Sequence, residues 1–346
     1  MRGLLLLFGR RKLNVSWFDR AEAVAPGVMV ATVIAMAARF LSEHYGGPAM
    51  LYALLFGIAF HFLNADPKFS VGVDFSTKRI LRLGVALLGA RITLGQIAAL
   101  GWSTALLVAL GVALTILLGW RLGKMFKIRT DHALLSAGAV AICGASAAMA
   151  ISAVLPKREG SEANTILTVV GVTTMSTLAM ILYPYLAHLF AFDDREAGVF
   201  LGGAIHDVAQ VVGAGYMISD IAGENATIVK LMRVACLAPV VLAIGYFFRE
   251  ENGAESRGGG VGLPGFLIGF LAIVAVNSLN ILPQALFDLA AGISSWFIII
   301  AVAALGVKTS LADLIKVGPA PVAAMAAQTA LLAVFVLAWL LIERMM

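Results

Sequence analysis

Long apolar runs, each closed by charged residues or by Gly/Pro-rich breaks, set the pattern of this chain. A helix needs about 20 apolar residues to cross the hydrocarbon core of a bilayer. Runs of that order fall at 24–45, 48–64, 79–97, 99–122, 132–155, 164–190, 198–218, 228–248, 262–281, 291–306 and 318–343. The predicted class is therefore an all-α polytopic membrane protein with about eleven transmembrane helices, the second and tenth being short.

Composition agrees with that pattern. Of 346 residues 61% are hydrophobic and 13% charged, and the mean hydropathy is +0.95. A soluble domain of this size needs far more polar surface. The lipid bilayer is thus the predicted partner, and no nucleic-acid partner is expected. Cys143 and Cys236 both lie in apolar runs, so no disulfide framework is indicated. Neither zinc-ligand spacing nor a phosphate-cradling glycine loop occurs, and no cofactor or metal is expected.

The placement of Lys and Arg orients the spans. With the N-terminus inside, inner segments hold Arg2, Arg10, Arg11, Lys12 and Arg20, then Lys68, Lys78, Arg79 and Arg82, then Arg121, Lys124, Lys127 and Arg129, and finally Arg195, Arg249, Arg257, Lys308 and Lys316. The outer side receives Arg39, Arg91, Lys157, Arg158 and Arg344. This asymmetry supports eleven spans with a cytoplasmic N-terminus and the C-terminus outside. Residues 1–23 form a basic cytoplasmic lead-in, and 24–346 form one transmembrane domain.

Two stretches of the chain resemble each other. Leu88-Gly89-Ala90-Arg91-Ile92-Thr93-Leu94 returns as Leu305-Gly306-Val307-Lys308-Thr309-Ser310-Leu311, and Gly101 and Gly318 keep the same offset. Upstream, Leu63-Asn64-Ala65-Asp66-Pro67 matches Leu279-Asn280-Ile281-Leu282-Pro283. The copies cover about 48–125 and 262–343, on either side of middle spans at 132–248. An odd number of spans separates equivalent elements, so the copies have opposite orientation, the inverted-topology plan of secondary transporters. Arg91 and Lys308, equivalent in the repeat, would then lie on opposite faces as loop anchors. A fainter similarity links 138–166 with 203–228; eleven spans would make those segments parallel. The Gly-rich stretch 249–262 reads as a flexible linker.

Candidate chemistry concentrates in the middle spans. Cys143-Gly144-Ala145-Ser146-Ala147 crowds small residues into the fifth span, which suits close helix packing. It also suits a helix broken near Gly144, whose half-helix N-terminus would bind an anion. The seventh span carries His206, Asp207 and Gln210 between glycine pairs that would let it unwind. Ionisable groups at membrane depth usually face a wet cavity or a partner. Lys230 and Arg233 follow at i,i+3 in the eighth span, and the deeper Arg233 needs an internal anion: Asp207, a substrate, or both. Thr173, Thr174, Ser176, Thr177 and Asn277 read as interhelical hydrogen-bonders.

The motifs around Cys143-Gly144-Ala145-Ser146-Ala147, His206 to Val212, and Ile228 to Arg233 with Ala238-Pro239 resemble the YeiH-like family of sulfate exporters. The resemblance covers most of the chain and departs from the family at Asp207, where the family carries Glu. That family is a distant relative of the cation/proton antiporter–anion transporter superfamily, which implies inverted repeats and discontinuous helices. The expected function is export of a small oxyanion of the sulfate or sulfonate class. Cys143, Gly144, Ala145, Ser146, His206, Gln210, Lys230 and Arg233 would bind it, and His206 and Asp207 would couple protons or ions. The alternative is a Na⁺/proton antiporter using Asp207. An intramembrane enzyme is not expected, because adjacent His206 and Asp207 point to different sides of a helix. A homodimer is left open.

Overall fold

Capping residues mark many of the helix ends. Asp66 accepts a hydrogen bond from the Lys68 N–H, and Pro67 follows at the first helical position, where a missing N–H costs nothing. Thr93 with Gln96, and Asp193 with Glu196, form reciprocal capping boxes. Ser219 accepts from the Ala222 N–H. The computed structural model describes residues 17–248, 264–279, 281–309 and 319–346. The Arg10-Arg11-Lys12 segment, the 249–262 linker, Asn280 and Gly318 therefore fall outside the described residues.

The first half of the chain contains α1 (Trp17–Tyr45), α2 (Ala49–Ala59), α3 (Pro67–Phe75), α4 (Leu81–Leu88), α5 (Leu94–Ala99), α6 (Gly101–Met125), α7 (Thr130–Ala141) and α8 (Ala145–Ser152). A π-turn at Ser76–Ile80 joins α3 to α4. Next come α9 (Ser161–Leu189), α10 (Asp194–Ala204), α11 (Val208–Ile218), α12 (Asp220–Ala235) and α13 (Leu237–Phe247). The last three are α14 (Gly265–Ser278), α15 (Gln284–Lys308) and α16 (Pro319–Met345). Every regular element among the described residues is helical. Six helical stretches are long and apolar enough to cross a membrane: Glu22–Tyr45, Gly101–Met125, Ser161–Leu189, Asp220–Phe247, Gln284–Lys308 and Pro319–Met345.

These helices pack in two groups. α1 to α4 assemble with α14 and α15, and α6 to α13 assemble with α16. Within the first group, α2 and α15 approach backbone to backbone: a Cβ on Gly57 would sit 2.7 Å from the Gly306 Cα. Between the groups, α11 lies against α2 and α15. Two polar contacts also bridge them, Arg91–Asp220 at 3.6 Å and Gln96–Glu224 at 3.4 Å.

The structure corrects the sequence reading at two of the apolar runs. The predicted fifth span folds back on itself, with α7 entering the bundle and α8 returning to the same end. Gly138 lies against the Ile151 side chain, and Arg129 at the foot of α7 donates to the Glu159 carbonyl at 3.1 Å. One cavity is lined both by Asp131 and by Lys157, the two feet of this hairpin.

The predicted seventh span does the same from the opposite end. A Cβ on Gly198 of α10 would sit 2.8 Å from the Ala222 carbonyl oxygen, and one on Gly215 of α11 would sit 3.1 Å from that same oxygen. Both legs thus meet α12 at one level, near its start. Since the hairpins enter from opposite ends, segments 138–166 and 203–228 run antiparallel rather than parallel. A run of 20 apolar residues fixes burial but not direction, so a folded-back pair of short helices and one long helix look alike in sequence.

Candidate functional site

The two hairpin tips meet in the middle of the bundle. α7 ends at Ala141; Ile142, Cys143 and Gly144 turn the chain, and α8 begins at Ala145. Gly144 takes φ 61°, ψ −124°, outside the range of ordinary L-residues, and its N–H donates to the Ala139 carbonyl at 2.8 Å. The second tip is extended: Ile205 and Asp207 have ψ 146° and 143°. Asp207 caps α11, accepting from the Ala209 N–H at 2.9 Å. A Cβ on Gly144 would be 4.0 Å from the His206 Cβ, so the tips touch.

This break lies elsewhere than the sequence suggested. Glycines flanking the seventh run were expected to let it unwind, yet Gly202, Gly203, Gly213 and Gly215 all stay helical. They serve close packing instead: a Cβ on Gly202 would sit 2.8 Å from the Val229 Cβ on α12. The unwound residues are Ile205, His206 and Asp207. His206 therefore lies outside α11 and does not share one helix with Gln210.

Two buried cations hold the tips together. The Arg233 guanidinium donates to Val140 and Ala141 at the end of α7 and to Gly202, Gly203 and Ile205 at the end of α10, at 2.6–3.1 Å. Lys230 Nζ donates to the Ile142 carbonyl at 2.6 Å and the Ile205 carbonyl at 3.0 Å. Helix C-termini leave carbonyls without partners and carry about half a negative charge each. Arg233 and Lys230 answer both deficits. The anion expected beside Arg233 is thus supplied by peptide carbonyls, and no contact joins it to Asp207 among the described residues.

The remaining polar groups fix the tips from α9 and α16. Ser176 Oγ accepts from the backbone N–H groups of His206 and Asp207 at 3.2 and 3.0 Å. His206 Nε2 lies 2.9 Å from Thr329 Oγ1. Gln210 Nε2 donates to Thr177 Oγ1 at 2.7 Å. Ser176, Thr177 and Asn277 are interhelical hydrogen-bonders as expected, and Thr173 lends its carbonyl to Gln210. Thr174 instead bonds within α9. Thr329 was missed, since a lone threonine in the last apolar run gives no signal by itself. Arg91 and Lys308 lie at opposite ends, paired with Asp220 and Asp74.

Exposure divides the candidate residues. His206, Gln210, Lys230 and Arg233 are at most 1% exposed, and Cys143 is 4% exposed. Ser146 is exposed, and Ala145 and Asp207 are half-buried. The N-cap of α8 is Gly144, which has no side chain to offer its first N–H groups. With both cations charged, the two C-termini, the two N-termini and the Asp207 carboxylate together leave about one net positive charge at the tips. That is a polarity suited to an anion.

A model of the conserved hypothetical protein 698 family matches residues 26–325. The UPF0324 membrane protein TauZ of Paracoccus denitrificans is 54% identical over 91% of this chain and 94% of its own length. A UPF0324 membrane protein of Chlorobaculum tepidum is 49% identical over 92% of this chain and 89% of its own length. Another, from Bordetella pertussis, is 35% identical over 89% and 90%. No solved structure matches the chain.

Proposed function

We propose that this chain, which belongs to the conserved hypothetical protein 698 family, is a secondary transporter that moves a small oxyanion of the sulfate or sulfonate class by alternating access. The observation that carries the reading is the open first turn of α8 beside the start of α11, backed by Lys230 and Arg233 on the carbonyl ends. Cys143, Gly144, Ala145 and Ser146 form the binding tip. His206, Gln210, Lys230 and Arg233 act behind it by holding both tips in position. Asp207 is the coupling group, because a proton on it removes the one carboxylate at the tips.

The topology that goes with this function is nine crossings and two re-entrant hairpins. α1, α2, α3–α4, α6, α9, α12–α13, α14, α15 and α16 cross, while α7–α8 and α10–α11 enter from opposite sides. Removing two crossings between the repeat copies keeps their relation inverted. The count also sharpens the charge asymmetry. Lys157 and Arg158 join Arg129 on the inner face, and Arg195 joins Arg39, Arg91 and Arg344 on the outer face. The N-terminus is inside and the membrane is the bacterial inner one.

The test is flux of labelled sulfate and of an alkanesulfonate in proteoliposomes under an imposed potential. An inside-negative potential favours anion exit by about 2.3 kcal/mol per charge per 100 mV. Potential-sensitive flux of either anion is expected, with a raised KM in Ser146→Ala. Absence of flux of both by correctly inserted protein would sink the reading. The half-buried Asp207 carboxylate favours a second one, Na⁺/proton antiport. Sodium-driven proton flux lost in Asp207→Asn, without anion flux, would support it.

A further inference from the structure

α11 and α15 face each other across the boundary between the two packing groups. A Cβ on Gly213 of α11 would sit 3.5 Å from Val302 Cγ2 on α15. Seven residues on from Gly213 and seven back from Val302, Asp220 and Ser295 share Arg91. The two helices therefore run antiparallel here. Followed the other way at 1.5 Å per residue, Asp207 and Lys308 come to one level, each six residues from the Gly213–Val302 contact. The Lys308 charge also acts on the Asp207 carboxylate. A cation of the first group thus stands across from the tips carried by the second.

The partner that Lys308 has is a replaceable one. Its Nζ lies 2.5 Å from one oxygen of Asp74 on α3, and Lys78 Nζ lies 3.3 Å from the other. Among the described residues neither lysine pairs with a second carboxylate. Two cations share one anion, so Lys78 at i,i+4 keeps Asp74 paired if Lys308 leaves. The Lys308 side chain is 41% exposed and that of Asp74 46%, where an ion pair is weak. Across the boundary Lys230 and Arg233 are engaged by carbonyls, and Asp207 is the facing carboxylate. Arg91, at the matching place in the repeated motif, already spans both groups at the other end. Lys308 makes no such crossing contact among the described residues.

We propose that Lys308 is a further substrate-binding residue, which leaves Asp74 to grip the oxyanion held at the tips of α8 and α11. The inference rests on the transporter reading and deepens it. The anion itself then joins the two groups at this end, as Arg91 joins them at the other. An ammonium with three donors on a flexible stem suits a ligand that must also be released.

Purified protein in detergent is titrated calorimetrically with sodium sulfate and with sodium ethanesulfonate, sodium chloride serving as control. Lys308→Gln is expected to weaken binding of one of these anions, and to raise its KM in flux, by about tenfold or more. The melting temperature is kept, and Lys308→Arg retains both affinity and KM. Asp74→Asn frees Lys308 and tightens binding; in a Lys308→Gln background the same change loses that effect. In the unaltered protein the bound anion slows acetylation of Lys308 by an amine reagent, read by mass spectrometry, more than chloride does. That readout stands even where a variant fails to fold. Affinity for both anions indifferent to Lys308→Gln, or acetylation of Lys308 indifferent to both, would overturn the proposal whatever the flux. Lys308-dependent binding in a protein without anion flux would retain this role and remove the transport function. Anion flux with a KM unmoved by Lys308→Gln would do the reverse.

Discussion

Arg233 shows how much one buried side chain does in an apolar bundle. Its guanidinium spans the carbonyl ends of two half-helices from different hairpins. Removing it strands acceptors that have no water to turn to, and a charged hydrogen bond of this kind contributes about 1.5–3 kcal/mol. Arg233→Met is expected to lower the melting temperature in detergent and to abolish anion flux together. Ser146→Ala is expected to keep the melting temperature and change only KM. A stable Arg233→Met protein with normal flux would refute the holding role. The sequence did point to Arg233 as a charge needing a partner. It could not say that the partner is peptide backbone, because carbonyl ends exist only once the helices are known to break.

At the scale of elements, the first hairpin is closed at its foot as well as at its tip. Arg129 bridges the Asp131 carboxylate on α7 and the Glu159 carbonyl just beyond α8. Burial pushes the Asp131 carboxyl up, but hydrogen bonds from Arg129 and from the His132 N–H, with the Arg129 charge, outweigh it and hold it below its ordinary 3.8. A carboxyl lowered in the folded state adds stability above its ordinary value and loses it as pH falls through the lowered one. Asp131→Asn should therefore melt below the parent at pH 7, and the gap should narrow as pH drops below about 4. A gap of constant size down to pH 3 would count against the clamp. In sequence, the long helices α6, α9 and α16 were legible within a few residues. α12 was placed late, at 228, because Asp220, Glu224 and Asn225 make its first turns polar. The break at Gly144 was legible from its small residues, whereas the break at Ile205 to Asp207 was hidden by the more conspicuous glycines around it.

For the whole molecule, the hairpins decide which loops share a compartment. Eleven crossings would put Lys127 and Lys157 on opposite sides; a folded-back α7–α8 puts them together. With Cys236→Ser and Cys143→Ala as background, Lys127→Cys and Lys157→Cys should react with an impermeant thiol reagent from the same face. Ala191→Cys should react from the other. Labelling of Lys127→Cys and Lys157→Cys from opposite faces would restore a crossing fifth span. The all-helical membrane class was readable because apolar composition survives without knowledge of direction. The faint likeness of 138–166 to 203–228 was the signal for the hairpins, and it made sense only with both runs folded back.

Arg233 lies 92 residues downstream of Ala141, whose carbonyl it satisfies. A ribosome delivers the N-terminal side first. The first hairpin therefore emerges with bare carbonyls at its tip and stays so until α12 has been synthesised. Its two short helices cannot settle in lipid on their own in the meantime, since unpaired backbone groups are excluded from the hydrocarbon core. Insertion of this protein is thus expected to follow a built-in order, in which the first hairpin settles only when the arrival of α12 draws both tips inward together.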